Sequence, residues 1–465
     1  MAWQANSDYV IDLLAADLVH GNEQDFIGYG TDTRKNLDGK LFIALEGDQF
    51  DAHKFVYQAA TQKASGALVG KALDQEQLEK LEKDYPSFAL IQCDDSLLGL
   101  QKLANAWRKD CGFTVIGITG SNGKTTTKEF LQSILSHKYK TYSSEGSLNN
   151  HWGVPFTLLN ASPQHEVVIA EMGMNNPGEI HRLCEIAEPD HVCVTFVGRG
   201  HLEGLGSIEG VAKEKASIYK YSKETKKVFN LDNPYTKKMY HEFSQRDDVS
   251  FASTTDADVS MAVVDSALQS MQIEGKILDL SFAKEVQIYG KHNVTNLMAA
   301  SGLALLVGMS PYEIVNSFNN LKMAWGRNQV MEIGDHLVVF DGYNANPDSM
   351  DAFLSNAADV EVEGNKFLLL GEMLELGESA AAAHEALARA ASQANFKAVH
   401  FFGPSFKHFE AGLETYKNKE SCVLSSTYEE SLAKKIQSML EPKDAIFIKA
   451  SRGMRLERFM DLLRE

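Results

Sequence analysis

The residues best suited to chemistry lie in one short run, Gly117-Ile118-Thr119-Gly120-Ser121-Asn122-Gly123-Lys124-Thr125-Thr126. A β-branched stretch precedes it, and Phe130, Leu131, Ile134 and Leu135 follow on one helical face. Strand, glycine turn and helix together make a phosphate cradle. Glycines let backbone N–H groups turn inward, and a helix N-terminus attracts anions. Gly120, Ser121, Asn122 and Gly123 would form the cradle. Lys124 would neutralise β- and γ-phosphates, and Thr125, with Thr126 beside it, would offer a hydroxyl to Mg²⁺. The usual spacing needs a glycine where Ile118 stands, so the shorter Gly120-x-x-Gly123-Lys124-Thr125 form is what this chain carries. With strand and helix in place, the run predicts ATP binding.

A nucleotide-bound Mg²⁺ commonly draws a carboxylate from a neighbouring strand end. Val167-Val168-Ile169-Ala170 leads directly to Glu171, and a later apolar stretch ends in Val197-Gly198-Arg199-Gly200-His201. Both side chains are expected at the carboxyl edge of a sheet, where open α/β folds bind ligands. Lys215 lies three or four residues from Val211, Ala212, Ile218 and Tyr219, whereas Lys213 has Glu209, Gly210, Ala216 and Ser217 at those spacings. Lys215 therefore points inward with an apolar stripe and Lys213 faces solvent. An inward lysine loses its charge readily and can take up CO₂ as a carbamate. Snorkelling beside the core is the simpler reading of the spacing alone.

The elements that must position these groups recur along the chain. Its 465 residues suggest about three domains. Residues 1–108 mix short strands at Leu41–Leu45, Ala67–Val69 and Phe88–Ile91 with a helix at Ser96–Arg108. Residues 109–323 alternate strands, at Phe113–Thr119, Val167–Ala170, His191–Val197 and Lys227–Leu231, with helices. Residues 324–465 repeat the alternation with strands at Leu337–Phe340, Phe367–Leu370, Val399–Phe402 and Ala445–Lys449. The alanine-rich run from Ala380 reads as a helix. The fold class expected is α/β, with mostly parallel sheets in the second and third regions.

Composition narrows the function classes. Hydrophobic residues at 44% and charged residues at 23% are globular values. No apolar run is long enough to span a bilayer, and the start lacks a signal-peptide pattern. Five scattered cysteines without a CxxC pair argue against a disulfide framework or cysteine zinc site, so a cytoplasmic setting is expected. A net charge of −18 disfavours nucleic acid and anionic lipid as partners.

The motif set resembles the Mur ligases of peptidoglycan synthesis. The short phosphate loop, Asn149-Asn150 before Gly153-x-Pro155, the Glu171 strand, His201-Leu202-Glu203-Gly204, the Ala212-to-Tyr219 helix and Gly290-Lys291-His292-Asn293-x-x-Asn296 all fall in the family's order. Thr31-Asp32-Thr33-Arg34, Gly39-Lys40-Leu41-Phe42-x-Ala44-Leu45-x-Gly47 and Asp51-Ala52-His53 resemble the family's UDP-binding N-terminal domain. Asp341-Gly342-Tyr343-Asn344-Ala345-Asn346-Pro347-Asp348-Ser349-Met350 and Gly371-Glu372-Met373-Leu374-Glu375-Leu376-Gly377 resemble the branch that adds D-alanyl-D-alanine to a UDP-N-acetylmuramoyl-tripeptide. Glu372 stands where an Asp is common. The UDP-type segment argues against a folylpolyglutamate synthase, which lacks such a domain. The retained Lys124, Glu171, His201 and Lys215 argue against a non-catalytic nucleotide-binding regulator.

The resemblance implies three domains: a small UDP-binding α/β domain, a central phosphate-loop domain and a C-terminal Rossmann-like domain. It implies a carboxylate activated by ATP as an acyl phosphate, then attacked by an amine. It places one Mg²⁺ at Thr125 and Glu171 and a second at His201 and Lys215, the lysine being carbamylated. Asn293 and Asn296 are expected on the adenine side, with Arg327 and Asp341 reaching ATP from the C-terminal region. Thr31, Asp32, Thr33, Arg34, Asn149, Asn150, Tyr343, Asn344, Asn346, Lys449, Ser451 and Arg452 are the expected substrate-binding residues. The enzyme is expected to act as a monomer.

Overall fold

The computed structural model describes residues 3–47 and 49–464. Positions 1, 2, 48 and 465, which the expected domain spans include, lie outside the described residues. The chain is an α/β protein that divides into two units. One takes in the chain as far as Gly117 together with Tyr139–Met172 and His181–Asp190. The other comprises Ile118–Lys138, Gly173–Ile180 and the chain from His191 onward.

In the first unit a five-stranded sheet has the order Asp17–His20, Ala89–Gln92, Gly66–Val69, Leu41–Ile43, Tyr29–Gly30. Only the first pair is antiparallel. Gly66–Val69 and Leu41–Ile43 are buried along their whole length, as parallel strands covered on both faces are. Asp17–His20 and Tyr29–Gly30 are short edge strands that the sequence patterning did not announce. The expected helix runs Ser96–Cys111. Asp95 caps its start by accepting from the Leu97 and Leu98 N–H groups, and Gly112 ends it at φ +67°. The same unit pairs Thr141–Ser143 in parallel with Val167–Glu171, so Glu171 closes its strand.

In the second unit, His191–Val194, Lys226–Asn230 and Val249–Phe251 lie side by side in parallel. The strand expected to reach Val197 stops at Val194. Beyond it the backbone turns over the phosphate loop: the Thr195 N–H donates to the Thr119 carbonyl and the Ser121 N–H to the Phe196 carbonyl. Val259–Ser266, Met271–Ile277 and Leu280–Val286 extend this sheet as an antiparallel meander. Their period-two burial was present in the sequence but not separated there from the parallel pattern.

The C-terminal sheet has the order Gln329–Ile333, His336–Asp341, Ala445–Lys449, Lys366–Gly371, Ala398–Phe402, Leu424–Ser425. All pairs are parallel except the first. One face packs Phe353, Leu370 and Phe447, and the other Phe340, Ile448 and Phe459, into separate apolar cores. Two covered faces are what a doubly wound sheet requires. The carboxyl ends of its strands deliver Asp341 and Lys449, and Gly371 leads into Glu372.

Candidate active site

The phosphate loop joins the strand Thr114–Thr119 to the helix Lys124–Leu135. Gly123 sits at φ +86° just before the helix, and no side chain caps the helix start. A Cβ at Gly123 would lie 2.2 Å from Asn296 Oδ1, and one at Gly120 would lie 2.0 Å from Thr195 Oγ1. Both glycines are therefore required by close approach, and at Gly123 by conformation as well. Lys124 Nζ folds back to donate to the Gly120 carbonyl at 2.8 Å. Thr125 and Thr126 are buried. Ser121 Oγ accepts from the Gly198 N–H at 3.0 Å, which fastens the loop to the segment that carries His201.

Lys215 is fully buried, and its Nζ has no hydrogen-bond partner among the described residues. Burial, reinforced by the charge of Lys124 and opposed by Glu214, holds its amine well below the usual lysine range. Lys213 is exposed, as its spacing predicted. The neighbours of Lys215 are anchored on both sides. Glu214 accepts from the Gly178 N–H at 2.8 Å and the Ile180 N–H at 2.9 Å. The Tyr219 hydroxyl accepts from the Val194 N–H at 2.9 Å and donates to the Val228 carbonyl at 2.6 Å. His201 takes a left-handed conformation at φ +58°, with Nδ1 3.4 Å from Glu375 Oε2. Glu375, also at positive φ, has its carboxyl held below the usual range by His201.

A cavity of about 210 Å³ lies between the loop and the C-terminal sheet edge, lined by Gly123, Thr126, Asn293, Asn296, Arg327, Asp341 and Lys449 among others. Asn293 Nδ2 donates to the Tyr289 carbonyl at 2.7 Å and its Oδ1 accepts from Asn296 Nδ2 at 2.9 Å. Lys449 and Asp341 form a buried ion pair at 2.6 Å, and Lys449 also donates to the Asn344 carbonyl at 3.1 Å. The Arg327 guanidinium stacks 4.6 Å from the Tyr343 ring centroid. His292 lines the same cavity. Its pKa is lowered to about 4, chiefly by burial, so the ring is neutral at pH 7.

Asn346 is buried beside the phosphate loop. It exchanges amide hydrogen bonds with Asn122, at 2.8 Å and 3.2 Å, and caps the helix Pro347–Asp359 through the Ser349 N–H. Ser451 Oγ accepts from the Leu374 N–H at 3.1 Å. Arg452 is exposed, stacked on Trp325 and 2.8 Å from Glu457. Asn344 is exposed as well. Glu372 accepts from the N–H and hydroxyl of Ser405, so its carboxylate is held inside the C-terminal region.

In the first unit, Glu171 is buried and accepts from Asn149 Nδ2 at 2.8 Å. Asn150 accepts from the Gly153 N–H at 2.9 Å and so shapes the turn into the helix Gly153–Asn160. Thr31, Asp32, Thr33 and Arg34 line a cavity of about 520 Å³ with Phe42, Phe50 and Phe55. Arg34 clamps both oxygens of Asp32 at 2.9 Å, which lowers that carboxyl to about 2.

Sequence reasoning did not assign roles to Arg199, Glu214, His292 or Asp348. Glu214 was visible as an acid beside an inward lysine. The others depend on contacts far apart in the chain, which spacing does not report.

Residues 118–304 match the Mur ligase middle domain, and residues 326–452 match the Mur ligase glutamate ligase domain. The UDP-N-acetylmuramoyl-tripeptide--D-alanyl-D-alanine ligase of Bacillus subtilis is 32% identical over 435 residues, covering 93% of this chain and 92% of that protein. A crystal structure of MurF from Acinetobacter baumannii superposes with a TM-score of 0.89 at 27% identity, covering all of both chains. MurF from Thermotoga maritima, solved in complex with ADP, gives 0.81 at 28% identity over 94% of this chain and 97% of that one.

Proposed function

The chain belongs to the Mur ligase family, and we propose that it joins D-alanyl-D-alanine to a UDP-N-acetylmuramoyl-tripeptide at the expense of ATP. The observation that carries the reading is the cavity where the phosphate loop faces Arg327, Asp341 and Lys449. It brings a helix N-terminus and cations to a space suited to a nucleotide. The domain spans 1–108, 109–323 and 324–465 belong to this reading, as do a cytoplasmic location and a monomeric enzyme.

A carboxylate is a poor electrophile. Its oxygen attacks the γ-phosphorus of ATP, ADP leaves, and an acyl phosphate results. The dipeptide amine then attacks the acyl carbon, and the C–O bond to phosphate breaks as the amide forms. Catalysis of such a sequence is mainly positioning and charge neutralisation. The loop N–H groups and Lys124 hold the phosphates. Asn293 and Asn296 border the adenine side, and Arg327 with the Asp341–Lys449 pair closes the nucleotide from the C-terminal sheet. Thr31, Asp32, Thr33 and Arg34 receive the UDP part. Asn149, Asn150, Tyr343, Asn344, Asn346, Ser451 and Arg452 serve the peptide substrates, directly or by shaping the surface that does.

In this reading Thr125, Glu171, His201 and Lys215 would hold Mg²⁺: hydroxyl, carboxylate and imidazole are hard or borderline donors, and the Lys215 amine, which has no hydrogen-bond partner among the described residues, would become an anionic oxygen ligand by adding to CO₂ and releasing a proton. Bound Mg²⁺ at two sites would neutralise the charge of the phosphates and of the acyl phosphate. Lys215 would hold the carbamate, and His201, steadied by Glu375, would face the second ion.

The test is ADP release with defined substrates, using tripeptides ending in lysine or in meso-diaminopimelate. Turnover should require both a UDP-muramoyl-tripeptide and D-alanyl-D-alanine. Equal turnover with the dipeptide precursor and a diamino acid would move the enzyme to another step of the family.

A further inference from the structure

The segment Gly198–His201 is tied to the helix Pro347–Asp359 by one arginine. Arg199 Nε donates to Asp348 Oδ1 at 2.7 Å, and its Nη2 donates to Asp351 Oδ2 at 2.7 Å. Its backbone N–H donates to the second oxygen of Asp348. One guanidinium thus spans two carboxylates a helical turn apart, while one of those carboxylates also fixes the arginine's own backbone. The approach is close enough to dictate the preceding residue. A Cβ on Gly198 would lie 2.2 Å from Asp348 Oδ2. Asp348 sits in the first turn of its helix, where a negative charge is stabilised, and it lines the nucleotide cavity. On the other side, Gly198 is fastened to Ser121 of the phosphate loop, and His201 follows three residues later.

We propose that Arg199 is a positioning residue: its fork onto Asp348 and Asp351 clasps the C-terminal region to the phosphate loop and sets the segment that presents His201. The side-chain contacts it makes are with Asp348 and Asp351. It acts by holding Arg327, Asp341 and Lys449 at the cavity at the same time as it orders residues 198–201. The clasp is electrostatic and partly solvent-exposed, with the Arg199 side chain 44% accessible, so salt weakens it. The inference rests on the reading of the chain as an ATP-dependent ligase, but half of its test needs no turnover.

The experiment uses the full chain with Arg199→Ala, Arg199→Lys, Asp348→Asn and the Arg199→Ala/Asp348→Asn double variant. Asp348→Asn removes the charge but keeps an oxygen for the Arg199 N–H. Calorimetry measures binding of a non-hydrolysable ATP analogue, steady-state assays give kcat and KM for ATP, and circular dichroism checks the fold. Arg199→Ala should raise the Kd of the analogue about fivefold at low salt and lower kcat as well. Arg199→Lys should recover only part of the loss, because an ammonium cannot fork across two carboxylates. In the Asp348→Asn background, removing Arg199 should cost less than it does in the wild type, since one of the two carboxylates of the fork is already gone. The wild-type advantage should shrink as salt rises toward 0.5 M. An unchanged Kd for well-folded Arg199→Ala, or losses that multiply in the double variant, would overturn the clasp. If the wild type shows no ligase turnover, the functional reading fails, while the binding cycle still decides the clasp.

Discussion

In the proposed reaction, Lys215 is given the most specific chemistry among the described residues. Its inward direction was legible from apolar neighbours three and four residues away, and the fold buries it completely. What spacing could not tell was whether a carboxylate would meet it. The nearest acid in sequence, Glu214, instead binds the N–H groups of Gly178 and Ile180, and the amine is left without a partner among the described residues. An amine whose charge is disfavoured by burial can form a carbamate, whereas a snorkelling lysine would have reached water. Lys215→Ala should therefore lower turnover by at least about a hundredfold, while Lys213→Ala stays within about twofold. ¹³C-bicarbonate should give the wild type, and not Lys215→Ala, a carbamate NMR signal in the presence of Mg²⁺ and nucleotide. A wild type that lacks the signal and keeps an ammonium at Lys215 would return the residue to a structural role.

At the scale of elements, strand cores were legible and strand ends were not. Val167–Glu171 and Ala445–Lys449 were read within a residue, because continuous apolar runs between polar turns specify buried parallel strands. His191–Val194 was read three residues too long, because Thr195, Phe196 and Val197 look like strand, but Thr195 and Phe196 bond to the phosphate loop and the Val197 carbonyl accepts from Asn233 Nδ2. The break is secured by Tyr219, whose hydroxyl bridges the Val194 N–H and the Val228 carbonyl. Tyr219→Phe leaves both buried backbone groups without that partner, so it should destabilise the fold by about 1–3 kcal/mol. Urea unfolding would register the loss as a lower midpoint with an unchanged slope. A variant as stable as the wild type would show that these backbone groups find other partners.

At the scale of the molecule, alternation of strands and helices gave the fold class, and motif order gave the family. The joint between the central and C-terminal regions was hidden, because Asn122 and Asn346 stand 224 residues apart, and Arg199 and Asp351 stand 152 apart. Such pairs form only after each sheet has placed its own loops. What unites the regions in the proposed reaction is transfer of one carboxylate oxygen to phosphate. A UDP-muramoyl-tripeptide labelled with ¹⁸O in both oxygens of its terminal carboxylate tests that transfer directly. Ligation to D-alanyl-D-alanine should release ADP and inorganic phosphate carrying one ¹⁸O, with the other retained in the new amide. Unlabelled phosphate, or label recovered in AMP alongside pyrophosphate, would contradict an acyl phosphate and with it the assignment of the cavity.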